Sequence, residues 1–374
     1  MRPLRILITN HFLRGRTGSE LYVCELATSL LRRGHTPIVY SPQLGQSARE
    51  LRDATVPVVD NLEAIASPPD LIHGQHHVET ITALLRFRDV PAVFFCHGWL
   101  PWEETPPKHP RILRFVAVDD TCRDRLVCES AAPEERVSVI LNSVDMEHFL
   151  PRAPLPTRPA RALVFSNGAS ESTHLAAVRE ACRRTQLTLD VIGADSGNIS
   201  SRPQDKLGQY DIVFAKARCA LEALAVGSAV ILCDTAGAGP MVTTSELDQL
   251  RRLNFGVRTL RGSIDADGLE KEIARYDPED AAEVSRRIRT SAGREGAIDQ
   301  IIAVYQDIIR EFELTTRDSD GEARAEAIYL QQLVRHFEDE RNFLLNRETF
   351  SLRKRLLNLP LAGRLFRSLA NRKS

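Results

Sequence analysis

The sequence predicts an α/β protein of two doubly wound domains facing a cleft, followed by a helical C-terminal tail. Short apolar runs alternate with amphipathic segments from residue 4 onward, a proline-rich stretch interrupts them, and the same alternation then restarts. Apolar strands that alternate with helices belong to parallel sheets covered on both faces, because each crossover lays a helix against the sheet. At 374 residues the chain is long enough for two such domains.

In the first 150 residues the apolar runs Leu4–Thr9, Pro37–Ser41, Asp70–His73, Ala92–Cys96, Phe115–Val118 and Val137–Leu141 read as strands. Ser19–Arg33 reads as a helix closed by Gly34, and His77–Phe87 and Thr121–Ser130 as further helices. Pro151, Pro154, Pro156 and Pro159 then make residues 151–161 a linker, since such a segment cannot pair inside a sheet. The second domain, 162–314, repeats the pattern. Its strands are Ala162–Ser166, Thr188–Ile192, Asp211–Phe214 and Ala229–Cys233. Its helices are Thr173–Arg184, the stretch opened by Lys216, then Gly268–Tyr276, Pro278–Thr290 and Glu295–Glu313. From residue 315 the tail begins with a polar segment, "TTRDSDGEARAEA", expected to be flexible. Leu330, Leu333, Val334, Phe337 and Leu344 follow at helical spacing. The last 24 residues carry seven Lys or Arg and no acid, with leucines near helical spacing, so they read as a basic amphipathic segment able to lie on an anionic membrane.

A net charge of −1 argues against a nucleic-acid partner. The seven cysteines are odd in number, scattered and free of C-x-x-C pairs, which fits a reducing compartment better than a disulfide scaffold. The N-terminal apolar stretch is too short for a secretory signal, and no run approaches the roughly 20 apolar residues of a membrane span. The expectation is a cytoplasmic protein, with the basic end as its route to a membrane surface.

Among the candidate site residues, the loop "NHFLRGRTGSE" has Gly15 and Gly18, which let a ligand approach the backbone where a helix N-terminus offers N–H groups to an anion. His97 follows "AVFFC" at a strand's carboxyl end, where open α/β sheets bind ligands. His73, His76 and His77 lack the second ligand cluster that a zinc site needs, so no metal is expected. Lys216, Arg218 and Glu222 open a helix between two apolar strands. Cations there suit a phosphate, although Arg218 and Glu222 also have the i,i+4 spacing of an ordinary helix ion pair.

Several stretches in order resemble the retaining family 4 glycosyltransferases of the GT-B fold, whose two Rossmann-like domains enclose the active site. The resemblance runs over about residues 4–313: the glycine-containing first loop, "ELYVCELATSLLRRGHTPIVYS", "DLIHGQHH", the strand ending in "CHG", "FVAVDDTCRDRLV", "VSVILNSVDMEHF" with Asn142 and Asp145, and "DIVFAKARCALEALAVGSAVILCD" running into "TAGAGPMV". It implies transfer of a sugar from a nucleotide-sugar donor to a glycan or lipid-linked acceptor in surface polysaccharide synthesis, with no metal or other cofactor. It implies that Glu222 binds the donor ribose, that His97 lies by the transferred sugar, and that the Gly18 loop lies near the phosphates and the acceptor. The sequence departs from the family twice. Phe214 stands where the first glutamate of the E-x7-E motif belongs, and "VFSNGASESTHL" lacks the cations that usually hold the diphosphate. Lys216 and Arg218 are the residues placed to supply them. The rival readings are a catalytically silent GT-B-like glycan-binding or scaffold protein, for which Phe214 argues, and a sugar-nucleotide epimerase.

Overall fold

The computed structural model describes residues 2–130, 132–200 and 202–346. The strands of the first sheet are β1 (Arg5–Thr9), β2 (Thr36–Tyr40), β3 (Val58–Val59), β4 (Leu71–Gly74), β5 (Ala92–Cys96), β6 (Ile112–Ala117) and β7 (Val137–Val139). They lie in the order β3-β2-β1-β4-β5-β6-β7, and every pair is parallel. Ile6, Leu7 and Ile8 are all fully buried, as a central strand covered on both faces requires. Its helices are α1 (Gly18–Arg32), α2 (Gln46–Asp53), α3 (His77–Arg86) and α4 (Asp120–Ser130). Gly34, at φ 80°, takes the left-handed turn that ends α1.

The second sheet holds β8 (Arg161–Phe165), β9 (Thr188–Ile192), β10 (Ile212–Ala215), β11 (Ala229–Asp234) and β12 (Gly237–Met241), in the order β12-β11-β10-β8-β9. Only β12 is antiparallel; its "GAGPM" has no apolar run and gave no strand signal. The accompanying helices are α5 (Leu175–Arg184), α6 (Gln204–Leu207), α7 (Ala217–Val226), α8 (Leu247–Arg252), α9 (Ala266–Ile273) and α10 (Pro278–Ser291).

Helix α11 (Arg294–Leu314) corrects the expected domain boundary. A division at 314 assigns it to the second domain, but its Ile298, Ile301, Ile302, Tyr305 and Ile308 join the core formed by β1, β5 and α1. Helical periodicity shows that a helix has an apolar face; it does not say which sheet receives it. The seating is specific, since the Tyr305 hydroxyl lies 2.6 Å from Nδ1 of the fully buried His73 on β4.

Both sheets belong to one compact unit, residues 1–106 and 111–315, and a second unit comprises residues 107–110 and those from 316 onward. In the second unit, α12 (Ser319–Asn346) begins well inside the segment expected to be flexible. Asp318 accepts the Gly321 N–H at 2.8 Å as an N-cap, and the alanines that follow favour a helix. Ile328, Leu330, Val334, Phe337, Phe343 and Leu344 are exposed along it. Among the described residues, His109, Glu322 and Glu326 hold ligand atoms within 4.8 Å of one another, and Arg317 pairs with Glu322 at 3.1 Å, so that trio already has a cation beside it. No helix among the described residues is long and apolar enough to cross a membrane. The basic amphipathic end, 351–374, lies outside the described residues.

Replacing Tyr305 by Phe removes the hydroxyl that His73 meets and leaves a buried ring nitrogen unsatisfied, at a cost of about 1–3 kcal/mol. In urea unfolding, Tyr305→Phe should show a lower midpoint with an unchanged slope. An unchanged midpoint would show that the bond is not holding α11 in place.

Candidate functional site

Residues that follow β1, β4, β5, β6, β7 and β10 line a single cavity of about 540 Å³ between the two sheets, together with the first turns of α1, α7 and α11. This is where doubly wound sheets place their ligands, beyond the carboxyl ends of parallel strands. Three helix N-termini reach it, at Gly18, Ala217 and Arg294, and each favours negative charge. Tyr22, Phe95, Ile140 and Ile301 give much of the wall an apolar surface.

Of the residues singled out in the sequence, Gly18, His97 and Arg218 line this cavity, whereas Lys216 and Glu222 do not. A β-carbon at Gly18 would meet no protein atom within 4 Å, so packing does not require glycine there. Against the expectation of free N–H groups for an anion, two of the loop's amides are already taken. The N–H groups of Gly15 and Thr17 both donate to the Glu20 carboxylate, each at 2.7 Å.

His97 packs edge-on against Tyr22, with ring centroids 4.3 Å apart. Burial lowers its pKa to about 4, so the ring is neutral at neutral pH, and its Nε2 is buried with no hydrogen-bond partner in the protein. Nε2 of a neutral imidazole can donate to a ligand hydroxyl or accept from one, according to the tautomer. His76, at the start of α3, is lowered to about 3 by burial and by neighbouring histidines.

Lys216 and Arg218 point to different partners. Lys216 Nζ lies 2.5 Å from Asp234, which also accepts from Ser166 Oγ at 3.1 Å and the Thr235 N–H at 2.7 Å. Burial alone would raise the Asp234 carboxyl, but Lys216 and these hydrogen bonds pull it below the usual range. Arg218 donates from Nε to Glu222 at 2.7 Å and grips both oxygens of Glu25 on α1, thereby linking the two Rossmann-like domains. The i,i+4 pair with Glu222 therefore exists, but Glu222 is 5% exposed and the pair lies inside the protein rather than on its surface. Ala217, between the two cations, is held at φ 51°, an unusual backbone for a residue with a side chain, and its N–H donates to Phe255 O at 2.9 Å. Phe214 is fully buried in the core of the second domain, so its side chain cannot touch a ligand in the cleft.

Three residues of this cavity escaped the sequence reading. Glu25 looks like any charge on the polar face of a helix. Arg294 pairs with Asp145 at 2.8 Å across a long stretch of chain. Glu104 sits in a loop with no motif around it and turns its carboxyl toward His97.

Residues 16–148, from the loop before α1 through the closing Asn142–Asp145 segment, match Glycosyltransferase Family 4. Solved structures align over most of the chain. A glycosyltransferase from Rickettsia africae ESF-5 matches at 15% identity and TM-score 0.62, over 83% of this chain and 99% of that one. Anabaena HepE in complex with UDP matches at 15% identity and TM-score 0.62, over 81% and 100%. The same protein in complex with UDP-glucose matches at 14% identity and TM-score 0.57, over 81% and 100%. The fold is GT-B. No curated protein matches the chain by sequence. At these identities the solved structures speak to the fold, and the assignment of site residues rests on the geometry of this GT-B cleft.

The open space at Gly18 has a direct test. Gly18→Ala should leave the melting temperature within about 1 °C of the parent, because nothing in the protein resists the added methyl. A larger fall would show that packing does require glycine there.

Proposed function

We propose that the protein is a glycosyltransferase that moves a hexosyl group from a nucleotide-sugar donor to a glycan or lipid-linked acceptor in surface polysaccharide synthesis. The observation that carries this reading is the meeting of Gly18, His97 and Arg218, from three distant stretches of chain, on one cavity at the carboxyl ends of parallel strands from both sheets. The match of residues 16–148 and the UDP and UDP-glucose complexes of Anabaena HepE support it.

In this reading the diphosphate lies against the N-termini of α1 and α7. Its charge is met by helix dipoles and side chains rather than by a metal. Both cations are already paired, so donor binding is an exchange. Arg218 leaves Glu25 for phosphate, which also uncovers Glu222 for the ribose, and Lys216 leaves Asp234. Neutral His97 holds a hydroxyl of the transferred sugar. Retention of configuration, implied by the resemblance, lacks the usual contact to the donor sugar, because the Phe214 side chain is in the core.

Calorimetric titration with UDP and with uridine tests the donor site. Charge-assisted hydrogen bonds of about 1.5–3 kcal/mol mean that Lys216→Ala and Arg218→Ala each weaken UDP binding roughly 10- to 100-fold while scarcely changing uridine binding. Glu222→Gln weakens both ligands, and Glu25→Gln, which removes a competitor for Arg218, tightens UDP. If both cation variants bind UDP like the parent, the donor site is elsewhere. In turnover assays on a nucleotide-sugar panel, His97→Ala should lose far more rate than UDP affinity; equal losses would mark His97 as a structural loop residue.

We further propose that the protein works at the cytoplasmic face of a membrane, held there by residues 351–374. Co-sedimentation with anionic phosphatidylserine vesicles should be lost when that segment is deleted, and unchanged binding would exclude it as the anchor.

A further inference from the structure

Asn254 and Phe255, just after α8, both take left-handed backbones, each at φ 52°. Asparagine tolerates that conformation and phenylalanine does not favour it, so the surrounding fold must hold the pair. Two contacts of Phe255 do so. Its carbonyl accepts the Ala217 N–H at the start of α7 at 2.9 Å, and its ring is fully buried in the second domain's core. The turn is thereby fixed beside the N-terminus of α7, and Asn254 forms part of the cavity wall with Ala217 and Arg218. Asn254 is 5% exposed, and its Oδ1 is buried with no hydrogen-bond partner among the described residues. A buried polar group in that state is costly, and a ligand hydroxyl in the cavity would relieve it.

The same stretch of chain is tied to the loop that carries His97. Arg258, four residues after Asn254, stacks over Trp99 with its guanidinium carbon 5.0 Å from the ring centroid, and it pairs with Asp124 on α4. Trp99 follows His97 by two residues. His97 and Asn254 are therefore held near each other from opposite Rossmann-like domains, and both line the cavity. Lys216 and Glu222 do not line it. In the donor site proposed above Glu222 meets the ribose, so the nucleoside lies outside the part of the cleft that His97 and Asn254 share. What that part receives is the sugar. Phe214, at the end of β10, is turned into the core and offers the sugar nothing.

We propose that Asn254 is the second domain's contact to the transferred sugar, its carboxamide hydrogen-bonded to one of the sugar hydroxyls. The inference rests on the glycosyltransferase reading. A carboxamide carries both an acceptor and donors but no charge, so it grips a hydroxyl without adding an anion beside the diphosphate. It selects donors by the presence of that hydroxyl and leaves the affinity for the nucleotide alone unchanged.

The test uses the full chain with UDP-glucose, UDP-galactose, UDP-N-acetylglucosamine and GDP-mannose, turnover being read as release of UDP or GDP. Asn254→Gly is the informative variant, because glycine keeps the left-handed backbone without strain and removes only the side chain. It should bind UDP or GDP within about threefold of the parent, yet lose about 5- to 150-fold in kcat/KM for the donor the parent uses. Analogues of that donor lacking one hydroxyl at a time then locate the contact. One of them should be poorer in the parent by a similar factor and no poorer than the intact donor in Asn254→Gly. If every analogue loses as much in the variant as in the parent, Asn254 touches no sugar hydroxyl. Equal losses of nucleotide binding and turnover in Asn254→Gly would make the residue a support for the start of α7 and defeat the proposal. A parent that turns over none of the four donors defeats the glycosyltransferase reading itself, and the sugar contact with it. A parent that turns one over, with Asn254→Gly as active, defeats the sugar contact alone.

Discussion

The cleft depends on a helix that belongs by sequence to one domain and by packing to the other. α11 leaves the second domain at Gly293 and buries Ile298, Ile301, Ile302, Tyr305 and Ile308 against β1, β5 and α1. Each such side chain contributes about 1.5–3 kcal/mol when fully buried, an upper range because the unfolded chain already hides some apolar area. The first turn of that helix then forms part of the cavity wall, with Arg294 paired to Asp145 in the segment that closes the first domain. Hydrophobic burial on one face of α11 and cavity lining at its N-terminus are thus one structural event.

The cations in and beside the cleft are already paired in the protein. An ionised side chain in a partly dry site is costly unless it meets an opposite charge. Here Lys216 meets Asp234, and Arg218 meets Glu25 and Glu222. An anionic ligand there would have to compete with a carboxylate for each cation, and the contact between Arg218 and Glu25 joins the two Rossmann-like domains. Ala217, between the two cations, has a left-handed backbone, and Lys216 and Arg218 on either side of it pair with different carboxylates.

On the first domain's side, dryness does the opposite work. The histidines after β4 and β5 are pushed toward neutrality, and Glu104, with no cation in contact, is pushed to titrate near 7. The same low polarity that keeps imidazoles uncharged leaves a carboxyl able to exchange a proton under ordinary conditions. The cavity lining therefore holds two kinds of group: the compensated pair of Arg218 and Glu25, and neutral histidines beside the raised carboxyl of Glu104.

The strands and helices that build both sheets were legible in the sequence because parallel strands are continuous apolar runs and surface helices have an apolar face, both local patterns. Ala92–Cys96 and Thr188–Ile192 were placed to the residue. β12 was not, because "GAGPM" pairs through its backbone alone, and α12 begins early because Asp318 caps it. Gly18, His97 and Arg218 could be nominated from their positions at strand ends. That they share a cavity while Lys216 and Glu222 stand outside it, that α11 crosses to the other domain, and that Glu104 faces His97 were decided by the tertiary structure alone. A sequence records which side chains are apolar or charged and how they repeat along one element. The partner of a helix face, the counter-ion of an arginine and the dryness around a carboxyl are set by segments far away in the chain.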